Sequence, residues 1–281
     1  VGSTSPKLEE GPDDIRKNAP SYFKKQLRLV TLEDYESYIR SNFANFISDV
    51  KVFSNWDYTG KYLKYFYDIN LNPGGFKQVA LNQVLYADSC NFNNIYVCAM
   101  PRVSKGSTLK YLLPSQKELI ISNVSVLKTI STEVTFMDPL FKSISFGTLK
   151  DNQTTISPSN THQLELIRSQ SSVRSLRSIQ QDAITIFKNY FDLSNSKLGQ
   201  TIEYSTLVTK LMSISGVSRI VTRNTEDNSF FDGLSFFLWN PLYPELDKQT
   251  LFNNHTLREF ELLYFENLAT IDLKIIAKAS L

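Results

Sequence analysis

Glu33, Asp34 and Glu36 crowd three carboxylates into the stretch VTLEDYESYIRSNF, Val30 to Phe43. Neighbouring carboxylates are equipment for general acid–base chemistry, one kept protonated and the other ionised. Their surroundings point to a structural role instead. With Thr31 as N-cap and Asp34 at N3, the acids fall in the first turn of a helix. There they face unpaired backbone N–H groups and the positive end of the helix dipole, a gain of about 0.3–1 kcal/mol that needs no substrate. Leu32, Tyr35, Ile39 and Phe43 recur along one stripe of that helix, the face a core would cover.

The other residues that could do chemistry are few and scattered. His162 and His255 are the only histidines, and a zinc-type site needs three or four ligands at usable spacings. His162 reads as the edge of a polar loop, and His255, in NNHTLRE, as a residue at a helix start. Cys90 and Cys98 lack the C-x-x-C spacing and read as free, buried thiols in a reducing compartment. No G-x-S-x-G elbow, G-x-x-x-x-G-K-[ST] loop or G-x-G-x-x-G turn occurs. PGG at 73 to 75 and KGS at 105 to 107 lack the strand-loop-helix context that cradles phosphate. The acidic pairs Asp13-Asp14 and Glu226-Asp227 fall in linker and turn stretches. The expectation is a chain without catalytic residues, metal site, cofactor or small-molecule substrate.

One basic run, RSQSSVRSLRSIQQ, carries Arg168, Arg174 and Arg177 with no acid between Glu165 and Asp182. A binding module contacting nucleic acid or a receptor through this basic helix is the second reading. Against it, no stacking aromatics are interleaved, and the formal net charge is only +2, too little for a strong steering field.

The elements that must position these residues follow from composition and period. At 281 residues, 42% hydrophobic and 21% charged, the chain has the proportions of a globular protein with a sizeable core. No apolar run approaches the ~18 residues of a membrane span. The opening VGSTSPKLEEGPDD has neither an initiating Met nor an apolar signal core, and reads as the linker of a fragment or processed product. ANFISDVKVFSNWD and IYVCAMPRV read as strands, the second stopped by Pro101. Ser115 and Glu118 suggest a capping box and a helix starting at Ser115. TEVTFMDP and FKSISFGTL read as strands, the latter with Lys142, Ile144 and Phe146 on its apolar side. A polar loop at 150 to 161 leads into the strand HQLELIRSQ. The longest helix follows, with Val173, Leu176, Gln180, Ala183, Phe187 and Tyr190 on one stripe, widened by Ile179 and Ile186. A shorter helix carries Leu207, Leu211 and Ile214, with Gly216 as a left-handed C′ residue before the strand SRIVT. TLREFELLYFENLATIDLKIIAKAS is ambiguous between helix and strand.

The fold class expected is α+β: elongated, several small strand-helix-strand units with mixed sheets, not a doubly wound parallel sheet. The divisions are a linker at 1–20, a first α+β subdomain at 21–150, a second at 151–222 and an aromatic-rich tail region at 223–281. Aromatics make up 12% of the chain, and the tail stretch NSFFDGLSFFLWNPLYP is the densest. Phe230, Phe231, Phe237, Trp239 and Tyr243 are its candidate interface, since interface cores are enriched in such residues. Leu234, Phe236 and Leu238 alternate with them and could instead form the inward face of a strand.

Three blocks carry a resemblance: QLRLVTLEDYESYI; IYVCAMP with the capped helix and VTFMDPLFKSISF; and YFDLSNSKLGQTIEYSTLVTKLMSISGVSRI. In their order and spacing they resemble the baseplate J-like family of contractile-tailed phages and related injection machines, over about residues 27 to 222. The family's V-T-x-E-D-Y-E helix, its G-x-x-x-x-x-S-x-L segment (Gly199, Ser205, Leu207) and its I-x-G-V turn (Ile214, Gly216, Val217) are matched. The resemblance implies a non-enzymatic structural protein of the virion tail, assembled in the host cytoplasm. Its partners would be a second copy of itself, forming a homodimer and a ring in assembly, and other baseplate wedge proteins. The tail beyond 223 lies outside the resemblance.

Overall fold

A computed structural model describes residues 28–69, 93–107, 109–147, 162–244, 246–266 and 268–279. The opening linker, Asp13-Asp14, Cys90, the Pro-Gly-Gly turn and the 150–161 loop lie outside them. The architecture is the expected α+β arrangement, built on three mixed sheets and a two-stranded one.

The first sheet holds β1 (Ile47–Ser54), β2 (Ile95–Pro101) and β3 (Val134–Met137), with β1 antiparallel and β3 parallel to the central β2. The Leu32–Asn42 helix packs on β1. Its start is as read: Thr31 Oγ1 accepts the Asp34 N–H at 3.2 Å, and Asp34 Oδ2 accepts the Thr31 N–H at 2.9 Å. Glu36 pairs with Arg40 at 2.9 Å. Tyr35, Ile39 and Phe43 are buried, joining Val50, Val97, Ile120 and Val124 in one core. The Pro114–Ser125 helix closes that core. It starts one residue before the expected Ser115: Pro114 takes N1, where its missing N–H costs nothing, and Gln116 Oε1 accepts the Leu113 N–H at 3.0 Å. Gln116, not Glu118, is therefore the reciprocating side chain.

The second sheet runs β10 (Lys248–Leu251), β9 (Phe236–Trp239), β4 (Leu140–Phe146), β12 (Glu261–Phe265). The third runs β13 (Ile275–Ala279), β5 (His162–Arg168), β7 (Val217–Asn224), β8 (Phe230–Asp232). Both follow one plan, an inner strand with a parallel neighbour on one side and an antiparallel pair on the other. The region past 223 thus supplies strands to both sheets. β11 (His255–Thr256) pairs with β6 (Thr201–Ile202), which places His255 on a strand rather than at a helix start. The ambiguous closing stretch resolves as two strands separated by a 3-10 helix, β12 parallel to β4 and β13 parallel to β5. β4 is buried along its whole length, so no single apolar side exists: Phe141, Ser143 and Ser145 are covered as fully as Ile144 and Phe146.

The Leu176–Tyr190 helix packs on β13 and β5, and the Tyr204–Met212 helix on β7, of the third sheet. Ile179, Ala183 and Phe187 face the shared core with Leu207 and Leu211. The first helix begins at Leu176, capped by Ser175, and Val173 stands before it, fully exposed. Glu226-Asp227 sits in the β7–β8 turn, where Asp227 Oδ1 accepts the Ser229 N–H at 2.9 Å. One element is absent from the sequence reading. Asn55–Asp57, a π-helical turn at Tyr58–Leu63 and Lys64–Asp68 form a continuous helical run. Its Tyr62, Tyr65 and Phe66 pack with Phe260 as a third core.

Gly216 has φ +93°, as expected for a left-handed residue, but it lies beyond the C-cap Ser213 and is not at C′. It turns the chain into β7 close beneath Ser172, whose Oγ would lie 2.3 Å from an added Cβ. Gly216→Val should therefore destabilise the fold by about 1–3 kcal/mol, the range for a β-branched residue forced into that region. Urea unfolding checks this, and an unchanged midpoint would contradict it.

Candidate functional site: an aromatic edge and a buried charge cluster

The five aromatics singled out by sequence occupy three places. Phe230 and Phe231 lie on β8, an edge strand. Phe230 is 58% exposed and sits over the Arg223 guanidinium, 5.4 Å from the ring centre. Phe231 turns to the opposite side and meets Phe252 at 4.9 Å. Phe252, which follows β10, is 41% exposed and belongs to the same edge, although sequence spacing did not point to it. Phe237 and Trp239 lie on β9 with their rings stacked at 5.2 Å. Their register partners on β4 are Ser145 and Ser143, small residues that let the rings lie down on the sheet. Trp239 is 4% exposed. Tyr243 packs edge-on against Phe66 of the helical run at 6.0 Å. Leu234, Phe236 and Leu238 are buried, the inward face of a strand. Of the five, only Phe230 is exposed, on the β8 edge.

The basic run is largely spoken for within the chain. Arg168 Nη1 donates to the Arg174 carbonyl at 2.9 Å. Arg174 bonds Ser178 and Asp182 and reaches the Ser215 carbonyl. Arg177 is exposed. Cys98 is fully buried, and that burial pushes its thiol pKa up, the reverse of what a nucleophile needs. Among the described residues no group of three His, Cys, Asp or Glu could hold a metal ion, and no helix is long and apolar enough to cross a membrane.

Sequence reasoning missed a buried charge cluster, because its members come from distant parts of the chain. Lys142, in the middle of β4, is 3% exposed. Its ammonium donates to Asp247 and stands 3.8 Å from Glu261 Oε1. Arg258 Nη1 donates to the same oxygen at 2.8 Å. The Tyr65 hydroxyl donates to Asp247 and accepts from Asn240 Nδ2 at 2.6 Å, while the Arg258 guanidinium lies 4.6 Å from the centre of its ring. Burial, then the bond to Asp247, pushes the Tyr65 pKa up. His255 meets Gln249 Nε2 at 3.1 Å. Its pKa is lowered, chiefly by burial, with Glu261 opposing and Lys142 and Arg258 assisting. Every charge in the cluster has an opposite partner, which is the condition for burying charge at tolerable cost.

No protein-family model and no curated protein matches the chain. Among solved structures, a chain of the six-fold symmetrised baseplate of the anti-feeding prophage is similar, at 12% identity and a TM-score of 0.49. The match covers 92% of this chain, which spans only 42% of that one. At this score and identity the likeness assigns neither fold nor role.

Two outcomes follow from the cluster. Lys142→Met strips Asp247 and Glu261 of the cation they share, Glu261 keeping Arg258, and should cost about 3–5 kcal/mol. Adding Asp247→Asn and Glu261→Gln should restore part of it, and calorimetry of the three proteins checks both. For His255, the unfolded chain takes up a proton near the ordinary value of 6.5 while the folded one resists. Stability should fall as pH drops below about 6.5 towards the lower folded pKa, a loss that His255→Gln abolishes. Parallel urea curves at pH 7.5 and 5.5 would show it, and an identical pH response in the variant would contradict it.

Proposed function

We propose that this chain is a structural subunit of a contractile-tail baseplate, of the kind represented by the large wedge subunit of T-even-type phages. Copies pair and join neighbouring wedges, with other wedge proteins, into a ring around the tail hub that rearranges when the sheath contracts. The observation that carries the reading is the ordered set of sequence blocks, whose distinguishing residues take fixed structural roles. The Thr31 and Asp34 of V-T-x-E-D-Y-E form the reciprocal cap. Gly199 has φ +65°, and an added Cβ would stand 3.0 Å from Glu259 Cα. Gly216 makes the second left-handed turn. The blocks therefore specify a framework rather than a reaction centre.

For the contact between copies we assign the β8 edge. A short edge strand bearing an exposed Phe230 on one face, with Phe231 and Phe252 in contact on the other, offers unpaired backbone groups and apolar surface together. A two-fold pairing is the commonest way to cover such an edge. Trp239 is already covered by its own chain.

The purified chain should run as a dimer at tens of micromolar in size exclusion with light scattering. Phe230→Ser with Phe252→Ser should shift it to monomer, with the circular dichroism spectrum unchanged because both side chains are substantially exposed. A strict monomer before mutation would count against self-association, and a variant that still dimerises would remove the β8 edge from the contact.

A further inference from the structure

A second surface lies away from the β8 edge. A cleft of about 430 Å³ opens between the loop at 105–107, the end of the Leu176–Tyr190 helix and the turn at 268–270. Its floor is apolar: Phe191, Leu193 and Phe265 are buried beneath it, and Leu268 forms one wall. Its rim is cationic. Lys105 and Lys188 both line it and are exposed; Lys110, outside the lining, lies over the Tyr264 and Phe141 rings at 3.8 and 5.0 Å.

One carboxylate, Asp192, lines the cleft and is held by hydrogen bonds. Asp192 Oδ2 accepts the Gly106 N–H at 3.0 Å, and its Oδ1 accepts both the N–H and the hydroxyl of Ser194. Burial alone would raise its pKa, yet those donors bring it below the ordinary carboxylate range, so it stays ionised and engaged. It serves to fix the 105–107 loop against the 193–195 turn, which sets the width of the cleft. Glu266, two residues beyond Tyr264, faces Ser143 Oγ at 3.4 Å. Lys105 donates to Asn189 Oδ1 at 2.7 Å, and its charge also helps to hold the Asp192 carboxylate ionised.

We propose that this cleft is a docking site for a peptide segment of a partner protein, one that inserts an apolar side chain and flanks it with carboxylates. Charge complementarity selects this occupant. An apolar floor takes a leucine- or phenylalanine-sized group, and a rim with two exposed lysines above one buried carboxylate favours acidic flanks over basic ones. The assignment does not depend on the baseplate reading or on the β8 contact.

The test uses fluorescence anisotropy on the full chain with two labelled nonapeptides, Gly-Glu-Leu-Phe-Glu-Leu-Glu-Gly-Gly and its counterpart with lysine at each glutamate. The acidic peptide should bind at least tenfold more tightly than the basic one. Lys105→Glu with Lys188→Glu should invert that preference, and Ala269→Trp, which fills the cleft from an exposed wall position, should abolish binding of both. Circular dichroism and light scattering of each variant should match the parent, which separates this site from folding and from self-association. Equal binding of the two peptides, binding that survives Ala269→Trp, or saturable binding of decanoate with no binding of either peptide would each overturn the proposal.

Discussion

An ammonium group buried in the centre of a sheet constrains much of this molecule. Lys142 sits on β4, between β9 and β12, where water does not reach it. A lone buried charge would cost several kcal/mol, so the chain must bring anions to it. Asp247 comes from just before β10 and Glu261 opens β12. The Tyr65 bond to Asp247 then docks the 55–68 helical run over the same place, where Lys61 adds a 2.8 Å pair with Glu259. Segments far apart in sequence are thereby held in one register by a requirement for charge neutrality. The third sheet repeats the solution on a smaller scale: Glu165, 1% exposed on β5, is met by Arg223 from β7 and Lys278 from β13.

These pairings give the region past 223 its place. Its strands complete two sheets begun earlier in the chain, with β12 parallel to β4 and β13 parallel to β5. Parallel neighbours need long connections, so each sheet closes only when the last part of the chain arrives. The aromatic density that marks this region in the sequence is then mostly core: Phe236 and Phe265 stack around Phe146, Phe187 and Phe191. Among the described aromatics of this region, Phe230 on β8 and Phe252 after β10 are the most exposed.

What could be read from sequence divides along the same line. Elements set by local chemistry were legible: the Thr31 and Asp34 cap, β2 ending at Pro101, the stripe through Ala183 and Phe187. Where two local signals competed, Pro114 displaced Ser115, because a proline fits N1 better than any later position. Features that depend on distant pairing were not legible. Nothing around Lys142 announces that the cations and anions meeting it lie about a hundred residues away, and the closing strands look ambiguous until β4 and β5 are beside them. The 55–68 run was hidden by its π-helical turn, which breaks the 3.6-residue period that pattern reading relies on. Of the candidate interface, spacing found Phe230 but had no means to find Phe252, which reaches the same edge from another sheet.

The reading of this chain as a framework protein is most directly tested by a cryo-electron-microscopy reconstruction of a contractile particle assembled with it. The account predicts copies arranged as a ring at the baseplate, with the β8 edge covered by a neighbouring chain. A baseplate that forms completely with this chain absent from it would contradict the account.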